Sequence, residues 1–86
     1  MNSRVAIVTG GARGIGRACV RAILDAGALG VVIADNDADA GEAAVRELDP
    51  SGERVVLSKT DVTSRADHER TAAAAVERFG RLDILV

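Results

Sequence analysis

Val5-Ala6-Ile7-Val8-Thr9-Gly10-Gly11-Ala12-Arg13-Gly14-Ile15-Gly16 is the stretch that decides the fold. The apolar run Val5 to Val8 reads as a buried parallel strand. It passes into a turn with four glycines in seven positions, Gly10 to Gly16, and then without a gap into a helical pattern. Strand, glycine turn, helix is the arrangement that aims backbone N–H groups and the positive end of a helix dipole at a phosphate. An ordinary strand-to-helix turn does not need so many glycines. The spacing Gly10-x-x-x-Gly14-x-Gly16 is longer than G-x-G-x-x-G but obeys the same logic. One glycine permits the turn, one removes a side chain that would strike a pyrophosphate, and one allows close helix packing. A P-loop is excluded, because Arg17-Ala18 stand where Lys and Ser/Thr would be needed after Gly16.

Outward from this stretch the chain alternates. A strand over 4–9 leads to a helix over 14–27, whose Ile15, Ala18, Cys19, Ala22, Ile23 and Ala26 recur at helical spacing and are expected to face inward. A buried strand over 30–35 ends on Asp35. A helix over 38–48 follows, with Asp37 as its cap and Ala40, Ala44, Val45 and Leu48 inward. Asp49-Pro50-Ser51-Gly52 is a turn. A strand over 54–60 runs to Asp61. Ser64 caps a helix over 65–79, with Ala72, Ala75, Val76 and Phe79 inward, and Gly80 ends it. Residues 82–86 begin a fourth strand. This alternation predicts an α/β fold with a parallel sheet and helical crossovers. Right-handed crossovers give the strand order 3-2-1-4, with the first two helices on one face and the third on the other.

Composition narrows the function. The chain has 86 residues, 48% of them hydrophobic, with Phe79 the lone aromatic residue, so aliphatic side chains must build one small core. A net charge of −2 without a basic patch argues against nucleic acid. No apolar run approaches the roughly 18 residues of a membrane span. The strand begins so early that no signal peptide is expected, and the single Cys19 fits a reducing cytoplasm.

Two acids and a cation accompany the expected phosphate site. Asp35 lies 19 positions after Gly16, close to the roughly 20 expected of an acid that accepts from ribose hydroxyls. Its charge would repel a 2′-phosphate, which favours NAD over NADP. Arg13 argues mildly the other way, as a cation able to meet that phosphate. Asp61 ends the third strand, at the end of the sheet where ligands bind. It can accept from an adenine amino group, with Val62 on the ring, or act as a helix-capping acid in competition with Ser64 and Asp67. Cys19 reads as a small packed thiol rather than a nucleophile. His68 stands without a ligand partner and reads as solvated, and no metal is expected. Asp83 reads as an orienting hydrogen-bond acceptor or a rim residue.

Thr9-Gly10-Gly11-Ala12-Arg13-Gly14-Ile15-Gly16 resembles the Thr-Gly-x-x-x-Gly-x-Gly cofactor motif of the short-chain dehydrogenases/reductases. Asp61-Val62-Thr63 is similar to their adenine-pocket motif. Phe79-Gly80-Arg81-Leu82-Asp83-Ile84-Leu85-Val86 resembles the run that leads into their Asn-Asn-Ala-Gly segment. The resemblance implies a Rossmann-type fold and an NAD(P)-dependent oxidoreductase acting on an alcohol or carbonyl. It implies that Gly10, Arg13, Gly14, Ile15 and Gly16 surround the pyrophosphate, that Asp35 holds the adenosine ribose, and that Asp61 and Val62 hold the adenine. It also implies that the Thr9 hydroxyl braces the loop against the fourth strand. The family's acid–base tyrosine has no counterpart: the chain contains no Tyr, and its one lysine, Lys59, lies in the third strand. No catalytic residue is therefore expected within 1–86. The chain reads as a partial NAD(P)-binding domain, the N-terminal portion of a longer reductase, marginally stable alone, with substrate contacts and any oligomer belonging to the intact protein. The alternatives are a self-contained, non-catalytic nucleotide-binding module, and a methyltransferase-like domain, which also carries a glycine loop and acids after its second and third strands.

Overall fold

The structure, a computed structural model, describes residues 3–86. Its elements follow in order β1 (Val5–Thr9), α1 (Gly14–Asp25), β2 (Gly30–Asp35), α2 (Ala38–Leu48), β3 (Val55–Lys59), α3 (Arg65–Phe79) and β4 (Ile84–Leu85). All strand pairs are parallel and the sheet order is β3-β2-β1-β4. This is the expected Rossmann-type α/β topology.

Register brings the strand ends level. Val5 pairs with Gly30, and Thr9 with Ala34. Asp35 pairs with Lys59. The glycine turn and the acid at the end of β2 therefore leave the sheet side by side. Hydrogen bonding continues past the strands, from Gly10 N–H to the Ala34 carbonyl (2.8 Å) and from Thr60 N–H to the Asp35 carbonyl (3.0 Å).

Alternation in the strands divides the core between the two faces. Val8, Val31, Ile33 and Val55 meet Val20 and Leu24 of α1 and Ala44 and Leu48 of α2. Val5, Ile7, Val32 and Ala34 meet Ala75 of α3, with Phe79 and Ala72 alongside. Phe79 lies flat against β2, so a Cβ at Gly30 would stand 2.4 Å from its ring. Two helices on one face and one on the other is the expected layering.

Two helix faces differ from expectation. In α1, Ile15, Ala18, Ala22 and Ala26 are exposed, and Val20 and Leu24 are the buried residues. The helix carries two apolar stripes, one mostly alanine. Turning the larger side chains inward buries more apolar area, at about 25 cal/mol per Å². In α3, Val76 is half exposed and the buried positions are Thr71 and Ala75. Thr71 is inward because it joins a hydroxyl cluster: its Oγ1 is 2.8 Å from Thr60 Oγ1 and 2.9 Å from Ser58 Oγ. α1 also stops at Asp25 rather than residue 27. Gly27 N–H donates to the Leu24 carbonyl and Ala28 N–H to the Ile23 carbonyl, the paired bonds of a Schellman ending.

The expected caps form at α2 and α3. Asp37 accepts from Ala40 N–H and Ser64 from Asp67 N–H. The carbonyls ending α1 receive a cation: the Arg54 guanidinium donates to Leu24 O (2.9 Å) and Ala28 O (2.8 Å). β4 is shorter than the expected 82–86, because only Ile84 and Leu85 pair with β1. Asp83 orients its start: the carboxylate accepts from Val5 N–H (2.9 Å) and forms a two-pronged pair with Arg81. Arg81 first, then the Val5 N–H, hold the Asp83 carboxyl below its ordinary range. No helix of the described residues is long and apolar enough to cross a membrane.

Candidate functional site: the glycine turn and the acids beside it

The turn leaves β1 through Gly10 at φ +64° and enters α1 through Gly14 at φ +61°. Both angles lie where a Cβ is penalised. Gly16 is required for a different reason. A Cβ there would stand 2.1 Å from the Gly10 carbonyl oxygen and 2.7 Å from its carbon. The first turn of α1 is thus pressed against the loop's own first glycine. Above Gly14, nothing lies within 4 Å of an added Cβ. The space over the helix mouth is open.

That mouth presents donors. Arg13 is the N-cap residue and its side chain makes no capping bond. The first N–H groups of an α-helix have no partner within the helix. Among the described residues, no group accepts from the N–H of Gly14, Ile15 or Gly16. Ala12 is buried in the core and pins the middle of the loop. Ile15 is 86% exposed at the mouth. The Thr9 hydroxyl donates to the Val86 carbonyl (2.8 Å), which also accepts from Thr9 N–H (3.0 Å), so the loop is braced against the residue that follows β4.

Asp35 stands beside this mouth. One carboxylate oxygen accepts from Ala12 N–H (3.3 Å) and the other from Asp37 N–H (2.9 Å). A carboxylate has about four acceptor sites, so each oxygen can still take a hydroxyl. Asp37 in turn pairs with the Arg13 guanidinium. Its carboxyl is held low, first by the Ala40 N–H and also by Arg13. The sequence marks Asp35 and Arg13 as candidates and Asp37 only as a cap. Its second bond crosses 24 positions of chain, and no local pattern signals it.

At the next strand end, Asp61 does not cap α3; Ser64 does. Asp61 is exposed, and one of its oxygens accepts from the hydroxyl (2.6 Å) and N–H (2.9 Å) of Thr63. Thr63's hydroxyl, then its N–H, hold the Asp61 carboxyl below its ordinary range. Asp67 secures the turn from the other side by accepting from Asp61 N–H (2.9 Å). Val62 is 58% exposed, an apolar side chain left in solvent at the end of the sheet. His68, exposed on α3, contacts the Val62 carbonyl through Nε2 (2.7 Å). Cys19 is partly buried against the α1 side of the core.

The glycine turn on a parallel sheet sets the fold class, and comparison with known proteins gives the family. The family profile described as short chain dehydrogenase matches residues 4–86. The chain belongs to that family. It is 45% identical over 83 residues to L-fucose dehydrogenase of Bos taurus, covering 96% of this chain and 29% of that protein. It is 40% identical to 3beta-hydroxysteroid dehydrogenase 2 of Eggerthella lenta, covering 96% of this chain and 32% of that protein. Among solved structures, a short chain dehydrogenase/reductase from Burkholderia phymatum in complex with NAD superposes with a TM-score of 0.90 at 34% identity. That match covers 98% of this chain and 30% of the other. The chain spans about a third of the length of the curated relatives it matches.

Proposed function

We propose that residues 1–86 are the dinucleotide-holding part, a partial Rossmann domain, of an NAD(P)-dependent short-chain oxidoreductase. The observation that carries this reading is the set of unpartnered N–H groups at Gly14, Ile15 and Gly16 beside the Asp35 carboxylate. Donors at a helix mouth suit a pyrophosphate, and a carboxylate with free lone pairs suits a ribose diol. The glycine turn, from Gly10 through Arg13 to Gly16, would hold the pyrophosphate. Asp35 would accept from the adenosine ribose. Asp61 would accept from the adenine amino group through its unused oxygen, with Val62 against the ring.

NAD is preferred over NADP on this reading, because Asp35 and Asp37 would stand against a 2′-phosphate. A bound nicotinamide supplies or takes up hydride from an alcohol or carbonyl carbon of a small-molecule substrate. The residues of this chain bind, orient and hold the cofactor, and none is assigned the proton transfer. A single partly buried cysteine and a net charge of −2 support a cytoplasmic setting without nucleic-acid partners.

Calorimetric titration of the 86-residue chain with NAD, NADP and S-adenosylmethionine tests the proposal. NAD is expected to bind most tightly. Tighter S-adenosylmethionine would end the oxidoreductase reading, and tighter NADP would overturn the role given to Asp35.

A further inference from the structure

Arg13 is a cation at the edge of a site that the acids reserve for an unphosphorylated ribose. In the structure it does not reach into that site. Its guanidinium pairs with Asp37, the residue that caps α2. Asp37 is placed for this pairing by the chain around it. Its N–H donates to Asp35 Oδ1 (2.9 Å), and its Oδ1 accepts from Ala40 N–H (3.0 Å). Its Oδ2 is thereby left for Arg13. Together with the bond from Ala12 N–H to Asp35 Oδ2, these contacts close a ring from the glycine turn through β2 to α2 and back.

We propose that Asp37 is a specificity-determining residue: it holds Arg13 as a latched cation and so withholds from a 2′-phosphate the one loop group able to neutralise it. The inference rests on the dinucleotide reading above and adds to it a mechanism. Asp35 disfavours the 2′-phosphate by charge, while Asp37 removes the compensating charge. The latch is exposed, with side-chain exposures of 67% for Arg13 and 44% for Asp37, so it opens without unfolding anything. Exposed pairs shift an equilibrium by up to about fivefold. Loss of the Asp37 charge itself adds about twofold for an anion kept in water.

The test is a cycle of Asp37→Asn and Arg13→Gln, alone and combined, in the 86-residue chain. NAD and NADP affinities are read by calorimetry. Asn caps a helix as well as Asp does, so Asp37→Asn keeps the start of α2. Asp37→Ser, also a cap, repeats the measurement should the first variant unfold. Lys59, opposite Asp35 in the sheet register, is unchanged throughout. With Arg13 present, Asp37→Asn is expected to raise the NADP-to-NAD affinity ratio about tenfold. In the Arg13→Gln chain the same substitution should raise it only about twofold. An equal change in both backgrounds, or no change in either while NAD still binds, overturns the latch and leaves the dinucleotide site standing. A parent chain that binds neither nucleotide overturns the site itself, and the latch with it.

Discussion

Gly16→Ala is the sharpest perturbation of this site. The added methyl would stand 2.1 Å from the Gly10 carbonyl oxygen, 2.7 Å from the Gly10 carbonyl carbon and 3.1 Å from Gly11 Cα. All three obstacles are backbone, so no side chain can rotate away. Relief requires the mouth of α1 and the loop to part by about 1 Å, to reach ordinary non-bonded separation. Overpacking of this kind costs about 1–3 kcal/mol in stability. For a domain of this size that is a fall in Tm of roughly 4–8 °C per kcal/mol. The consequence for binding is larger, because the displaced turn carries the N–H groups of Gly14, Ile15 and Gly16. A charge-assisted hydrogen bond is worth about 1.5–3 kcal/mol. Misplacing one or two weakens NAD by about 100-fold. Urea unfolding reads the first effect and calorimetric titration the second. Gly52→Ala is the control. Gly52 also has a positive φ (+70°) and open space for a Cβ, but it lies in the turn before β3. It should lose stability through backbone strain without losing nucleotide. A Gly16→Ala chain with parental stability and undiminished NAD affinity would refute the close-approach argument.

Three further predictions concern the scaffold. Arg54→Met removes the guanidinium from the carbonyls of Leu24 and Ala28; urea unfolding should show a loss of about 1–3 kcal/mol for taking the Ala28 carbonyl's donor, while Leu24 O keeps the Gly27 N–H. Thr71→Val keeps the shape but strands the Ser58 hydroxyl and takes one partner from Thr60 Oγ1, which keeps its bond to the Ser58 carbonyl. A loss of about 1–3 kcal/mol is expected by the same assay, and Thr71→Ser should recover most of it. Asp83→Asn bears on acid stability. Arg81 and the Val5 N–H depress the Asp83 carboxyl in the folded state. Its contribution is therefore present above the unfolded pKa, near 3.9, and lost as pH falls through the lower folded value. The parent should lose stability steeply below about pH 4, and Asp83→Asn should flatten that slope when Tm is followed against pH.

Much of this protein was legible locally. The order of elements follows from apolar periodicity. The helix starts follow from Asp37 and Ser64, and the turn at 49–52 from its Pro and Gly. Each of these signals acts within a few residues, where backbone geometry and capping bonds are decided. The strand order also followed, because right-handed crossovers leave few layouts for such an alternation. The glycine spacing marked the turn between β1 and α1, since only glycine suits the positive φ at Gly10 and Gly14 and the 2.1 Å approach at Gly16.

What the tertiary structure alone decided is which of several adequate local choices the sheet accepts. α1 offers two apolar stripes, and periodicity cannot rank them. Contact with Val31 and Ile33 selects Val20 and Leu24, whose burial removes more area from water. Val76 and Thr71 both suit helix α3, but the hydroxyls of Ser58 on β3 and Thr60 just after it draw Thr71 inward. The pairing of Arg13 with Asp37, and the support of Asp35 by Ala12 N–H, join residues more than twenty positions apart. Such bonds depend on two strands ending level in a parallel register, and that is a property of the assembled sheet rather than of any segment in it.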